Sequence, residues 1–153
     1  MYSKILVAVD ESETSRHALQ QAIELAKNLS ASVRMVHVLD MSWLPIGPEV
    51  AIDTAALSAA RRGVGENTIA AARETAKVAG FEGEAVLIET ETPTQQVAET
   101  IVREAARWGA DLVVLGTHGR RGFQHLMLGS VAEKVARLSP GPVLLVPSPR
   151  GSA

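Results

Sequence analysis

Lys4-Ile5-Leu6-Val7-Ala8-Val9-Asp10 opens the chain with a short apolar run closed by an acid. A run this short, rich in branched residues and bounded by polar ones, reads as a strand buried on both faces, the kind that parallel sheets use. Here it spans residues 4–9. Four similar runs follow at Ser32–Leu39, residues 85–88, residues 112–115 and Val143–Val146.

Helical patterns fill the gaps between these runs. Asp10-Glu11-Ser12-Glu13-Thr14 reads as a helix start, and Ala18, Leu19, Ala22, Ile23, Ala26 and Leu29 then recur at helical spacing. Residues 41–53 carry Trp43, Pro45, Gly47 and Pro48 and read as a loop. Residues 54–79 read as a long helix, weakened by about 1 kcal/mol each at Gly63 and Gly65. Gly80 stands where a helix ends on glycine. Thr92-Pro93-Thr94-Gln95 predicts a further helix opening: Thr92 caps, Pro93 takes the first helical position and Gln95 reaches back. Val97, Ile101, Val102, Ala105 and Ala106 form that helix's inner face. Ser130–Leu138 is the last helix. Strict alternation of strand and helix predicts an α/β fold, a parallel sheet with helices on both faces.

Composition narrows the function. The chain has 153 residues, 46% apolar and 21% charged, with no cysteine. That size suits one domain, able to bury roughly 70% of its unfolded surface without a disulfide or metal. Thiol catalysis and thiolate metal sites are excluded. Fifteen basic residues against seventeen acidic ones give a net charge of −2, which offers nucleic acid no electrostatic attraction. No apolar run approaches the ~20 residues of a membrane helix. The first residues lead straight into a strand rather than a signal segment, so a cytoplasmic location is expected. A single domain is expected over residues 1–148. The tail, which begins at Pro147, is expected to fray and to be disordered over residues 149–153.

The stretch after the fourth strand carries the chemistry: Gly116-Thr117-His118-Gly119-Arg120-Arg121-Gly122-Phe123-Gln124-His125-Leu126-Met127-Leu128-Gly129-Ser130. Glycines permit positive φ and close approach of a ligand to the backbone. Free amides in such a turn form an anion-binding hollow. Gly129-Ser130 opens a helix, whose first N–H groups and dipole favour negative charge. Open α/β sheets bind ligands beyond the C-terminal ends of their strands, as this placement requires. The segment is neither G-x-x-x-x-G-K-[ST] nor G-x-G-x-x-G. The competing structural account is a tight strand-to-helix connection and nothing more.

Gly116-x-x-Gly119, nine residues, then Gly129-Ser130 resembles the ATP-binding signature of the universal stress proteins. The flanks are similar to that family too: 110–115 and 131–135 around the signature, the opening Ile5 to Asp10, and the closing Pro142 to Pro147. The resemblance covers nearly the whole chain and is weakest over residues 41–62. It implies a five-stranded parallel sheet in the order 3-2-1-4-5, so that strands 1 and 4 part beside Asp10 and Gly116. It implies ATP as ligand, with Mg²⁺ or Mn²⁺. Ala8, Val9 and Asp10 then lie by the nucleoside, and the Val38 backbone reads adenine. Gly116, Gly119, Gly129, Ser130 and Val131 hold ribose and phosphates, and Thr117, His118, Arg120 and Gly122 of the same segment are counted with them as candidate ligand-binding residues. It also implies a homodimer paired through the last strand, Val143–Val146, whose flanking prolines suit an edge.

Several residues keep two readings. Asp10 caps the first helix or contacts the nucleotide. Ser130 contacts phosphate or serves a capping box with Glu133. His118, Arg120 and Arg121 either pair with phosphate or sit in a solvated loop. His17, His37 and His125 pair with no Ser or Cys at a recognisable spacing and are expected to be structural. Trp43 and Trp108 are expected to pack, and Met127 and Leu128 to lie under the last helix. A receiver domain is disfavoured, since Thr90 and Ser148 stand where its Asp and Lys belong. Three functions follow: a nucleotide-dependent regulator; a slow ATP hydrolase or nucleotidyl-transfer enzyme, for which no general base, nucleophile or metal cluster presents itself; or an interaction module that binds no nucleotide.

Overall fold

A computed structural model describes residues 1–41, 53–90, 96–118 and 127–149. The elements run β1 (Lys4–Ala8), α1 (Glu13–Leu29), β2 (Ser32–Leu39), α2 (Thr54–Val78), β3 (Glu84–Glu89), α3 (Val97–Trp108), β4 (Leu112–Gly116), α4 (Ser130–Leu138) and β5 (Val143–Val146). The five strands form one parallel sheet in the order β3-β2-β1-β4-β5.

The side-chain alternation of the strands divides the core in two. Ile5, Val7, Val33, Met35 and Val114 face α1 and α2, meeting Leu19, Ala22, Ile23, Ile69 and Ala72. Leu6, Val36, Val38, Val113 and Leu115 face α3 and α4, meeting Ala98, Ile101, Ala105, Ala132 and Val135. Ile5, Leu6 and Leu19 are buried almost completely, each stabilising the fold by about 1.5–3 kcal/mol. Helices therefore cover both faces, which is why β1 reads as an unbroken apolar run.

The caps explain most boundaries. Ser12, not Asp10, caps α1: its Oγ accepts the Ser15 amide at 3.1 Å. Asp53 caps α2 by accepting from the Ala56 amide. Gly80 takes φ +67° just past α2, and the Phe81 amide closes the turn on the Ala76 carbonyl. Described α3 begins at Val97 with Gln96 at its N-cap; the expected opening at 92–95 lies outside the described residues. Most of the expected loop at 41–53, with Trp43, lies outside them as well. Gly65, expected to weaken α2, lets that helix approach β3, since a Cβ there would stand 2.9 Å from Leu87 Cδ1.

Two expectations are corrected. Met127 and Leu128 are 74% and 40% exposed, because they precede the α4 cap and the helix packs through Ala132 and Val135 instead. Pro147 and Ser148 are tied down rather than frayed: His17 Nδ1 lies 2.9 Å from the Pro147 carbonyl, and Thr14 Oγ1 lies 2.8 Å from Ser148 Oγ. Among the described residues no helix is long and apolar enough to cross a membrane.

Candidate functional site

The chain moves from β1 outward to β3, then returns to lay β4 and β5 on β1's other side. Connections from β1 and β4 consequently leave in opposite directions, and it is at such a switch point, beyond the C-terminal strand ends, that open α/β sheets form a ligand crevice. Ala8 ends β1, and Val9 and Asp10 follow it. Gly116 ends β4, and Thr117 and His118 follow it. Val38 lies near the end of β2, 8% exposed.

Segments that are distant in sequence are tied together here. The Thr117 amide donates to the Val146 carbonyl at 2.9 Å, and the Gly129 amide donates to the Thr117 carbonyl at 2.7 Å. That second bond holds the start of α4 against the end of β4. Gly129 is the α4 N-cap, and among the described residues no side chain caps the helix. The capping-box reading of Ser130 is thereby overturned, since Ser130 is the first helical residue and is exposed. Val131 is 37% exposed beside it. Among the described residues no side chain accepts from the opening amides of α4, a setting that favours an anion.

His118 adds a second polar feature. Its Nδ1 lies 2.9 Å from Thr117 Oγ1, while its Nε2 is buried with no hydrogen-bond partner among the described residues. A buried orphan nitrogen costs free energy unless something fills its place. Gly119, Arg120, Arg121, Gly122 and His125 lie outside the described residues.

On the β1 side the backbone is clamped. The Asp10 amide donates to Ser15 Oγ at 2.8 Å, and Asp10 Oδ1 accepts the Ser12 amide at 2.7 Å. Asp10 is thus held in a short side-chain turn and does not cap α1. Ser12 and Ser15, which hold it, were not singled out as site residues by sequence. Serine's preference for helix N-caps was the available signal for Ser12.

The candidate residues do not share one face. Ala8 and Val38 pack towards α3 and α4, but the Val9 side chain is buried against α1 and α2. Val9 can therefore take part only through its backbone. A cavity of about 390 Å³ lies on that α1–α2 side, lined by Val9, Asp10, Ser15, Leu19, Thr68 and Ala72 among others. None of the described glycine-segment residues lines it.

Glycine's role also differs from the sequence expectation. Among the described residues the glycines with positive φ are Gly80 and Gly109, not Gly116 or Gly129. A Cβ on Gly116 would stand 2.7 Å from Thr14 Cγ2 and 3.2 Å from the Thr14 carbonyl carbon. Gly116 thus leaves room for the first turn of α1. Gly129 has φ −61° and ψ 152°, which any residue adopts; its bare backbone matters for approach, not conformation.

Comparison with known proteins places this geometry. The family model described as universal stress protein family matches residues 1–147. A universal stress protein of Methanocaldococcus jannaschii is 33% identical over 150 residues, covering 98% of this chain and 85% of that protein. The crystal structure of a universal stress protein family member from Burkholderia pseudomallei is 34% identical, with TM-score 0.74, over 95% of this chain and 96% of the other. The structure of the Archaeoglobus fulgidus protein in complex with dAMP is 27% identical, with TM-score 0.64, over 95% and 98%.

Proposed function

The chain belongs to the universal stress protein family, and from that premise we propose that it binds an adenine nucleotide, ATP foremost, in the crevice between β1 and β4. The observation that carries this reading is that, among the described residues, no side chain caps the α4 N-terminus and the buried Nε2 of His118, next to Thr117 that is bonded to it, has no partner. Polyphosphate is the ligand chemistry such a pair of features accepts. The complex of the Archaeoglobus fulgidus relative with dAMP supports the adenine part.

In this reading Gly116, Thr117, His118, Gly129, Ser130 and Val131 hold ribose and phosphates, joined by Gly119, Arg120 and Gly122. Ala8, Asp10 and the Val9 backbone lie by the nucleoside, and the Val38 backbone reads adenine. Among the described residues no three His, Asp or Glu side chains gather as a metal cluster. Mg²⁺ or Mn²⁺ would enter with the nucleotide and would offset its phosphate charge. Occupancy acts as a regulatory signal, shifting the protein between states or partners in proportion to its differential affinity for them. The protein works as a homodimer joined through β5, an edge strand whose Leu144 is 39% exposed.

Two measurements test the binding. Nucleotide released by denaturing the purified protein should be adenine nucleotide. Calorimetric titration with ATP and Mg²⁺ should saturate at one per chain. Silence towards ATP, ADP, AMP and cyclic AMP alike removes the proposal.

A further inference from the structure

The sequence gives His37 no role beyond filling space, yet the structure gives it a defined bond. Its ring is 6% exposed, on the α1–α2 side of β2, and Gly65 of α2 lies over it: a Cβ there would be 3.5 Å from His37 Cδ2. Nδ1 stands 2.8 Å from the Val9 carbonyl oxygen. A carbonyl only accepts, so Nδ1 carries the proton and donates.

The place of this bond matters. The ladder between β1 and β2 ends at Ala8 and Val36, and the Val9 amide makes one last bond, to the Val36 carbonyl at 2.8 Å. If the parallel ladder ran one step further, the Val9 carbonyl would accept the Val38 amide. Among the described residues that bond is not made, and the carbonyl goes to the imidazole instead. On the other side of β2 the Leu39 carbonyl accepts the Thr90 amide. The backbone groups of Val38, one residue before, accordingly point towards β1 and the crevice.

We propose that His37 is a positioning residue: by taking the Val9 carbonyl through Nδ1–H, it stops the β1–β2 ladder one step early and leaves the Val38 backbone free to read adenine. This rests on the nucleotide reading above. It adds a division of labour, in which the base is selected by a gap that His37 keeps open and the phosphates are held separately at α4. His37 touches no ligand itself.

Two variants test it. His37→Leu fills the same space without a donor, and His37→Asn restores an N–H where Nδ1 stood. ATP and inorganic tripolyphosphate are each titrated into wild type and both variants. His37→Leu should lose at least tenfold in ATP affinity while tripolyphosphate affinity changes less than twofold, and His37→Asn should recover most of the ATP loss. Amide exchange should show the Val38 N–H better protected in His37→Leu, as the ladder closes. An equal loss for both ligands, or no loss for either, overturns the proposal, as does failure of His37→Asn to recover. Nitrogen NMR of the wild-type ring decides independently if His37→Leu does not fold: a proton on Nδ1 supports the proposal, and a neutral ring protonated on Nε2 overturns it. Wild type that binds no adenine nucleotide overturns the underlying nucleotide reading, a result separate from any His37 result.

Discussion

At the N-terminal edge of the sheet, charges are answered by charges. Glu104 of α3, 5% exposed, accepts from Arg34 at 2.6 Å and from both Nε and Nη2 of Arg107 at 2.8 Å. Arg34 also bonds Glu84 at the start of β3 and lies 4.8 Å from the centre of the Trp108 ring. Lys4 approaches that ring at 5.4 Å and donates to the Trp108 carbonyl. Asp111 accepts both the Ser3 and Lys4 amides and the Ser3 hydroxyl. At the C-terminal edge a charge pair remains between Arg62 and Glu89 at the end of β3, but beside β1 and β4 the pattern changes: among the described residues α4 starts without a side-chain cap, and His118 Nε2 is buried without a partner. One edge uses its polar groups to lock β1, β2, β3 and α3 together. The other holds polar groups in reserve, which stability alone would not favour. The difference supports placing the proposed nucleotide site at the second edge.

The hardest blow to this contrast falls on α4. Gly129→Val places a side chain where the helix amides meet a ligand, while the φ and ψ of Gly129 suit valine. ATP affinity should fall more than a hundredfold by calorimetry, with the melting temperature nearly unchanged. Retained affinity would mean that the uncapped turn is idle.

Glu104 tests the opposite edge. Burial pushes its carboxyl up, but the hydrogen bonds from Arg107 and Arg34 outweigh burial and hold it below the usual range. Asp111 is lowered too, burial again being overcome by the donors of Ser3 and Lys4. A carboxyl that titrates lower in the folded state contributes stability above its unfolded pKa and loses it as pH falls through the folded value. Both contributions are therefore complete above about pH 5 and fade in acid. Glu104→Gln should cost about 2 kcal/mol at pH 7 by denaturant unfolding and should flatten the acid limb of the stability profile. ATP affinity should stay within twofold of wild type. Parallel acid limbs in the two proteins would show that the network contributes nothing through charge.

The strands were legible in sequence because helices bury them on both faces, so Ile5, Leu6 and Val7 need no alternation. Their ends were less legible. β1 stops at Ala8 rather than Val9, and β4 continues to Gly116, because ladder ends depend on what the neighbouring strand offers. Family resemblance supplied the strand order, which local pattern does not contain. Within the site, the glycine positions could be picked out but not the reason for them. Thr14 against Gly116, Ser15 under Asp10, and His37 on Val9 are tertiary meetings. A single sequence carries no spacing rule for any of them. Capping was one of Asp10's two readings because Asp is favoured at N-caps; Ser12, two residues on, takes that place.

Gly116 separates two explanations that the contrast between the edges leaves joined. If its bare backbone serves only the ligand, Gly116→Ala should weaken ATP binding and spare stability. The structure says otherwise. The new methyl would stand 2.7 Å from Thr14 Cγ2, and Thr14 is 6% exposed with its hydroxyl engaged by Ser148. Turning Thr14 aside sacrifices that hydrogen bond, and moving the helix start disturbs Ser12 and Ser15, which hold Asp10. Overpacking of this kind costs about 1–3 kcal/mol, towards the lower end if α1 can shift by a few tenths of an ångström. The companion change is Thr14→Ser, which removes Cγ2 and keeps the hydroxyl. Thermal unfolding should show Gly116→Ala destabilised and the double variant largely restored, with ATP affinity recovering in step. Restored stability with binding still lost would return Gly116 to the ligand's side, and would make the end of β4, like the start of α4, a surface shaped by what it holds.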